Sequence, residues 1–193
     1  METNIDPRDP AMDPKRMVKV SKYLSRALRH QPERIGITLD ASGWVPVDDL
    51  LAACRSRGFA VTRVELDLVV AQNDKKRFAF SEDGMRIRAS QGHTVDIDLG
   101  LAPAEPPSEL YHGTVGRVID AILTEGLRPM NRNDVHLSPD VETARRVGAR
   151  RGRPVVLVVD AARMHADGHV FRVSDNGVWL VTAVPAEYLR RQG

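Results

Sequence analysis

Nine residues near the middle of the chain, Gly100-Leu101-Ala102-Pro103-Ala104-Glu105-Pro106-Pro107-Ser108, restrict its fold more than any others. Three of them are prolines. Each proline lacks a backbone N–H and has a locked φ, so no helix runs through the segment and no central strand uses it. Apolar periodicity stops before it and restarts after it. That pattern predicts a linker at 100–108 joining two lobes, 17–99 and 109–193. The 193 residues are enough for two small cores. Residues 1–16 are acidic and proline-rich without an apolar run, so they read as a disordered tail and not as a signal peptide.

Within 17–99, Val18, Val20, Tyr23, Leu24, Ala27 and Leu28 recur at helical spacing. Gln31-Pro32 ends that helix. A turn at Asp40-Ala41-Ser42-Gly43 precedes a short strand, Trp44-Val45-Pro46-Val47. Asp48-Asp49 are expected to cap a second helix over 50–57, and a third starts at Thr62. Arg77-Phe78-Ala79-Phe80-Ser81 and Met85-Arg86-Ile87-Arg88-Ala89 read as two strands around Glu82-Asp83-Gly84. Three helices and then a hairpin is the order of a winged-helix lobe. In 109–193 we expect a strand at 110–112, a helix at 115–125 and a strand at 135–137. A helix at 140–149, a buried strand at 155–160 and strands at 170–173 and 178–181 follow. The fold class is α+β.

Composition narrows the function. Hydrophobic residues make up 42% and charged residues 28%, ordinary for a globular chain, and the net charge is only +2. Anion binding must therefore come from local Arg and Lys clusters. No run of eighteen apolar residues exists, so no membrane span is expected and a cytoplasmic location is the default. The single cysteine, Cys54, permits no intrachain disulfide and sits in an apolar run, where a small buried side chain is the expected role. No histidine pair has metal-ligand spacing, so no metal is expected.

Several short segments carry groups suited to anions, each with a plainer alternative. Arg29-His30 ends the first helix, where cations also simply complement the helix dipole. Asp74-Lys75-Lys76-Arg77 is a basic cluster or a solvated loop. Arg88 and the loop Ser90-Gln91-Gly92-His93-Thr94 offer donors to a phosphate. Tyr111-His112-Gly113-Thr114 stands at a strand end before a helix, so Gly113 lets a ligand approach, or Thr114 is only an N-cap. Arg132, His136 and Ser138 cluster near a strand. Arg145-Arg146 and Arg150-Arg151-Gly152-Arg153 read first as a solvated helix end, with a phosphate-facing patch as the lesser alternative.

In their order and spacing these motifs resemble the NAD-dependent tRNA 2'-phosphotransferase family, which removes the 2'-phosphate left at an RNA splice junction. The segments that carry the likeness are Leu24-Ser25-Arg26-Ala27-Leu28-Arg29-His30, Arg77-Phe78, residues 88–94, Tyr111-His112-Gly113-Thr114, residues 132–138 and Asn176-Gly177-Val178-Trp179-Leu180. The match spans about Val18 to Leu189. The resemblance implies an N-terminal winged-helix, RNA-binding lobe and a C-terminal ADP-ribosyltransferase-like, NAD-binding mixed α/β lobe. It implies a catalytic tetrad of Arg29, His30, Arg77 and Arg132. It implies NAD contacts at His112, Gly113, Thr114, His136 and Ser138, with Val178 where many ADP-ribosyltransferases carry Glu. Arg88, Gln91, Gly92 and His93 are the candidate substrate-binding residues. Ser90 and Thr94 depart from the family pattern but keep a hydroxyl.

The implied reaction has two steps and consumes NAD without a metal. The 2'-phosphate attacks the anomeric carbon and expels nicotinamide. The ribose 2''-hydroxyl then attacks phosphorus, giving a 2'-hydroxyl RNA and ADP-ribose 1'',2''-cyclic phosphate. A phosphate is already an anion and needs no base to attack carbon, which suits the missing Glu. Arginine suits phosphate because its planar fork binds two oxygens at once. The partners implied are RNA bearing a 2'-phosphate and NAD, with the protein a monomer. Two other readings remain open: ADP-ribosyl transfer to terminal phosphates of nucleic acid, and a non-catalytic RNA-binding module.

Overall fold

The computed structural model describes residues 12–72 and 76–193. Most of the expected tail, and Asp74-Lys75 of the basic cluster, lie outside the described residues. Helix α1 spans Pro14–Arg29, so its first three residues belong to the helix and not to the tail. The reason is local: Asp13 is the N-cap, its carboxylate accepting from the Lys15 and Arg16 N–H groups at 3.4 and 3.3 Å. Pro14 then occupies the first helical position, where a missing N–H costs nothing.

Strand β1 is only Val45–Pro46, and α2 runs Val47–Ser56. Pro46 holds the N-cap position, and Asp48 and Asp49 lie in the first turn, near the positive end of the dipole, instead of capping. Helix α3 covers Arg63–Ala71 behind a full capping box between Thr62 and Glu65. Strands β2 (Phe78–Phe80) and β3 (Arg86–Ala89) pair antiparallel, and β1 adds to β3, giving the order β1-β3-β2. One core joins these elements, with Leu24, Leu28, Leu50, Leu66 and Ile87 fully buried. Cys54 is part of it, and burial pushes its thiol up to about 11, so it stays protonated and inert.

The remaining elements build a second core around Leu110, Leu137, Met164 and Phe171. Strand β4 is Glu109–Val115, followed by a 3₁₀ turn at Gly116–Val118 and α4 at Ile119–Glu125. Strand β5 is Val135–Leu137, α5 Val141–Gly148 and β6 Pro154–Asp160. Helix α6 (Ala161–Ala166) and strands β7 (Arg172–Val173), β8 (Trp179–Val181) and β9 (Leu189–Arg191) complete the chain. Two antiparallel three-stranded sheets result, β4-β6-β9 and β5-β8-β7, tied by the Tyr111–Ser138 bridge. The architecture is mixed, with six α-helices among the described residues and small antiparallel sheets. None of these helices is long and apolar enough to cross a membrane.

Three details depart from the sequence reading. The helix expected at 115–125 starts four residues late, because β4 continues to Val115 to complete its ladder with Pro154. Helix α6 and strand β9 fell in stretches with no clear period. Finally, the segment 100–108 is strapped down instead of hanging free. Pro103 bridges to Arg172, Ala104 N–H donates to Phe171 O at 2.9 Å, and Ser108 O accepts from both Ala161 and Ala162.

Candidate active site

The last turn of α1 delivers Arg29 inward and His30 outward. Ser21, Ser25 and Arg29 repeat every four residues, so they share one stripe of the helix. Arg29 Nη2 donates to Arg77 O at 3.2 Å, while its Nε is buried without a partner. Burial, then the charges of Arg77 and Arg132, hold Arg29 well below the usual guanidinium range, at about 10. It is still a cation at neutral pH. Among the described residues no carboxylate lies within ion-pair distance of Arg29 or of Arg132. A largely buried cation without an acid is costly, and an anionic ligand relieves that cost.

The loop after β3 closes over this helix end. Ser90 anchors it, with its N–H to Arg77 O at 2.9 Å and its hydroxyl to Lys76 O at 2.8 Å. Gly92, at φ +87°, sits against the Arg29 guanidinium. Thr94 N–H donates to Arg29 O at 2.9 Å, and Thr94 Oγ1 meets His30 Nδ1 at 3.1 Å. Burial, then the charges of Arg29, Arg132 and Arg26, lower the His30 pKa, which keeps the imidazole neutral. Arg77 Nη1 donates to Ser21 Oγ at 3.3 Å, which places its guanidinium beside the same stripe of α1.

The second half contributes Arg132, His112 and His136. His112 Nδ1 lies 3.2 Å from His136 O. A carbonyl only accepts, so His112 carries its proton on Nδ1 and leaves Nε2 as an acceptor. Arg132 Nη1 hydrogen-bonds His136 Nδ1. A guanidinium only donates, so His136 must hold its proton on Nε2. Burial and the charge of Arg132, with smaller effects from Arg29, His112 and His93, push His136 down to about 3. His93 is 3% exposed and is pushed down to about 4, chiefly by burial and then by Arg29. Both rings are neutral.

The expected residues are not all brought together. Arg29, His30 and Arg77 line one groove of about 620 Å³ along α1. Arg132 is coupled to them through its charge, which lowers both Arg29 and His30. Gly92, His93 and His136 line a second cavity of about 240 Å³ with Asp134 and Arg172. Gln91 is partly buried beside Gly92. Arg88 stands apart: its guanidinium lies 4.5 Å from the centre of the Trp44 ring, donates to Leu99 O at 3.1 Å and comes within 4.0 Å of Asp175.

The local reading of Gly113 as a turn glycine needs correction. Tyr111-His112-Gly113-Thr114 lies inside β4 and not at a strand-to-helix turn. A Cβ on Gly113 would sit 1.7 Å from Ala144 O, so glycine is there because α5 packs directly on the strand. Thr114 is buried in the ladder and caps no helix. Ser138 is held by paired backbone bonds with Tyr111 at 2.7 and 2.9 Å. Val178 N–H donates to Ser174 Oγ at 3.3 Å, and its side chain is partly exposed. Arg150, for which a solvated helix end is the leading sequence reading and a phosphate-facing patch the lesser one, lines the α1 groove with Arg29, His30 and Arg77. The only signal was the arginine run itself, which looks the same whether it meets solvent or a cleft.

Comparison with known proteins gives the family. The family model described as "RNA 2'-phosphotransferase, Tpt1 / KptA family" matches residues 15–183. A protein of Streptomyces griseus named "Probable RNA 2'-phosphotransferase" is 66% identical over 189 residues, covering 94% of this chain and all of the relative. Relatives of the same name from Streptomyces coelicolor and Burkholderia pseudomallei are 68% and 57% identical. They align over 93% and 91% of this chain, and over 97% and 95% of their own lengths. With nearly its whole described length matched, the chain belongs to the RNA 2'-phosphotransferase family, a family of transferases.

Proposed function

We propose that this enzyme transfers the 2'-phosphate of an RNA to NAD, leaving a 2'-hydroxyl RNA, ADP-ribose 1'',2''-cyclic phosphate and nicotinamide. One observation carries the reading. Arg29 is a largely buried cation with an unpartnered Nε and no carboxylate partner among the described residues, and it faces a groove shared with His30 and Arg77. Such a site is built for a small, highly charged anion. In this reading the three helices and hairpin of the first half act as the winged-helix, RNA-binding lobe. The second half is the ADP-ribosyltransferase-like lobe.

The donor set of the second half suits a dinucleotide. His112 and His136 are neutral, with one ring acceptor and one ring donor free for ribose hydroxyls or an amide. When bound, NAD supplies an electrophilic anomeric carbon and a nicotinamide leaving group. His112, His136 and Ser138 would hold it.

The chain's own residues do the rest. Arg29 and Arg77 grip the non-bridging oxygens of the 2'-phosphate, fixing its direction of attack. Arg132 approaches from the second half and stabilises charge that grows on those oxygens. His30 is neutral at working pH, with Nδ1 engaged by Thr94, so Nε2 is the atom that accepts or returns a proton. His136 orients Arg132. Arg88 holds the neighbouring loop through Ser42 O and Leu99 O, and its buried Nε, which has no protein partner, remains for the substrate.

Incubation with a 2'-phosphorylated oligonucleotide and NAD tests the proposal. NAD-dependent loss of the phosphate, one nicotinamide released per phosphate lost and a cyclic phosphate product are the expected outcome. A stable ADP-ribosyl adduct on a terminal phosphate would overturn it, as would RNA binding with no NAD-dependent turnover.

A further inference from the structure

The groove along α1 is larger than one phosphate requires. At one end lie Arg29, His30 and Arg77; beyond them it continues past Arg26, Ser25 and Lys22 to Val18. Lys22 and Arg26 are exposed and four residues apart, so their side chains stack one turn from each other, leading toward His30. Arg150 lines the same groove from the second half of the chain. Its charge lowers the pKa of both Arg77 and Arg132, which places it within electrostatic reach of the site.

Among the described residues, neither Lys22 nor Arg150 has a carboxylate within ion-pair distance. Some exposed cations elsewhere in the chain do find acids, as Arg63 does with Asp67 at 2.9 Å and Arg190 with Glu109. A run of cations without acids, continuous with a phosphate-binding end, matches a polyanion of several phosphates. The far end changes character: Val18, 53% exposed, lines it with Met17 and offers apolar contact to a base.

We propose that Lys22 and Arg150 hold the phosphodiester groups flanking the 2'-phosphorylated nucleotide, with a neighbouring base against Val18. The enzyme then selects single-stranded oligonucleotides over mononucleotides that bear the same 2'-phosphate. This rests on the RNA 2'-phosphate reading above and adds the residues that sense the rest of the strand. Arg150 is the residue that makes the track depend on both halves of the chain.

The test uses the full chain, a labelled RNA oligonucleotide with one internal 2'-phosphate and a 2'-phosphorylated mononucleotide. Anisotropy gives oligonucleotide Kd over a salt series, and turnover gives kcat and KM for both substrates. Lys22→Ala and Arg150→Ala should each weaken oligonucleotide binding about tenfold and reduce the salt slope by about 0.7, the value for one single-strand phosphate contact. Their penalty on kcat/KM should be at least fivefold larger for the oligonucleotide than for the mononucleotide. Arg150→Lys should restore most of the salt slope. Both positions are exposed, and thermal melts confirm that the variants fold. Unchanged salt slopes, or equal penalties on both substrates, would overturn the track. If the wild type binds RNA with the expected slopes but removes no 2'-phosphate, the parent reading fails and the RNA track stands.

Discussion

Arg29 shows how one side chain is specified. Its guanidinium donates to Arg77 O at 3.2 Å and rests against Gly92, so its orientation is held before any ligand arrives. Lysine at this position keeps the charge but loses the planar fork. Arg29→Lys should therefore lower kcat/KM by about 10- to 100-fold, in line with about 1.5–3 kcal/mol for a charge-assisted hydrogen bond. Steady-state kinetics on a 2'-phosphorylated oligonucleotide would check this, and near-wild-type values would argue against two-oxygen binding. His93 makes a second prediction. It folds as a neutral ring pushed down to about 4, against 6.5 in the unfolded chain. Between those values the unfolded state binds more protons, so stability falls as pH drops from about 6.5 to about 4. For so deeply buried a ring the loss approaches about 3 kcal/mol. Urea unfolding across that window should show the slope, and His93→Gln should reduce it, with the remainder coming from His136, which is pushed down to about 3.

At the scale of elements, the contact between β4 and α5 is the tightest constraint. Gly113 and Gly148 let strand and helix backbones touch: a Cβ on Gly148 would lie 2.7 Å from Thr114 O. Gly113→Ala should destabilise by about 3 kcal/mol or more, because the obstacle is backbone and cannot rotate away. A fall in the urea midpoint checks it, and an unchanged midpoint would sink the packing explanation. This glycine also shows a limit of linear reading. Its presence in a His-Gly-Thr motif was legible, but its reason was not, since Ala144 is 31 positions away in sequence. Helices α1 and α3 were legible because their apolar period and caps are local. Strand β9 was not, because its three residues, Leu189-Arg190-Arg191, carry no alternation and take their conformation from pairing with β6.

Across the whole molecule, Arg88 and Asn133 tie the two halves. Arg88 donates to the carbonyls of Ser42 and Leu99 and approaches Asp175 at 4.0 Å; Asn133 Nδ2 donates to Val95 O and Ile97 O at 3.0 and 3.3 Å. Asn133 is the sequence neighbour of Arg132, so its two bonds to the first half lie next to the site. Arg88→Ala should cost about 2 kcal/mol of stability through orphaned carbonyls and lost packing on Trp44. It should also lower activity further than stability alone explains, because the Arg132 side of the site loses its register. Comparing melting temperature with kcat/KM at a temperature where the variant is fully folded separates the two. A full recovery of kcat/KM under those conditions would assign Arg88 to stability only.

The sequence by itself determined the elements with a strong local period, the division of apolar patterning around Pro103, Pro106 and Pro107, and the motifs that mark the family. These depend on caps, breakers and spacing, which are interactions within a few residues. Only the tertiary structure decided which cations share a groove. Arg150, read first as a solvated helix end, lines the groove with Arg29 and Arg77, while Arg88 lies outside that groove and donates to the carbonyls of Ser42 and Leu99. The physical reason is that a guanidinium takes its role from what lies within hydrogen-bond reach, and those neighbours are brought in by chain segments far apart in sequence.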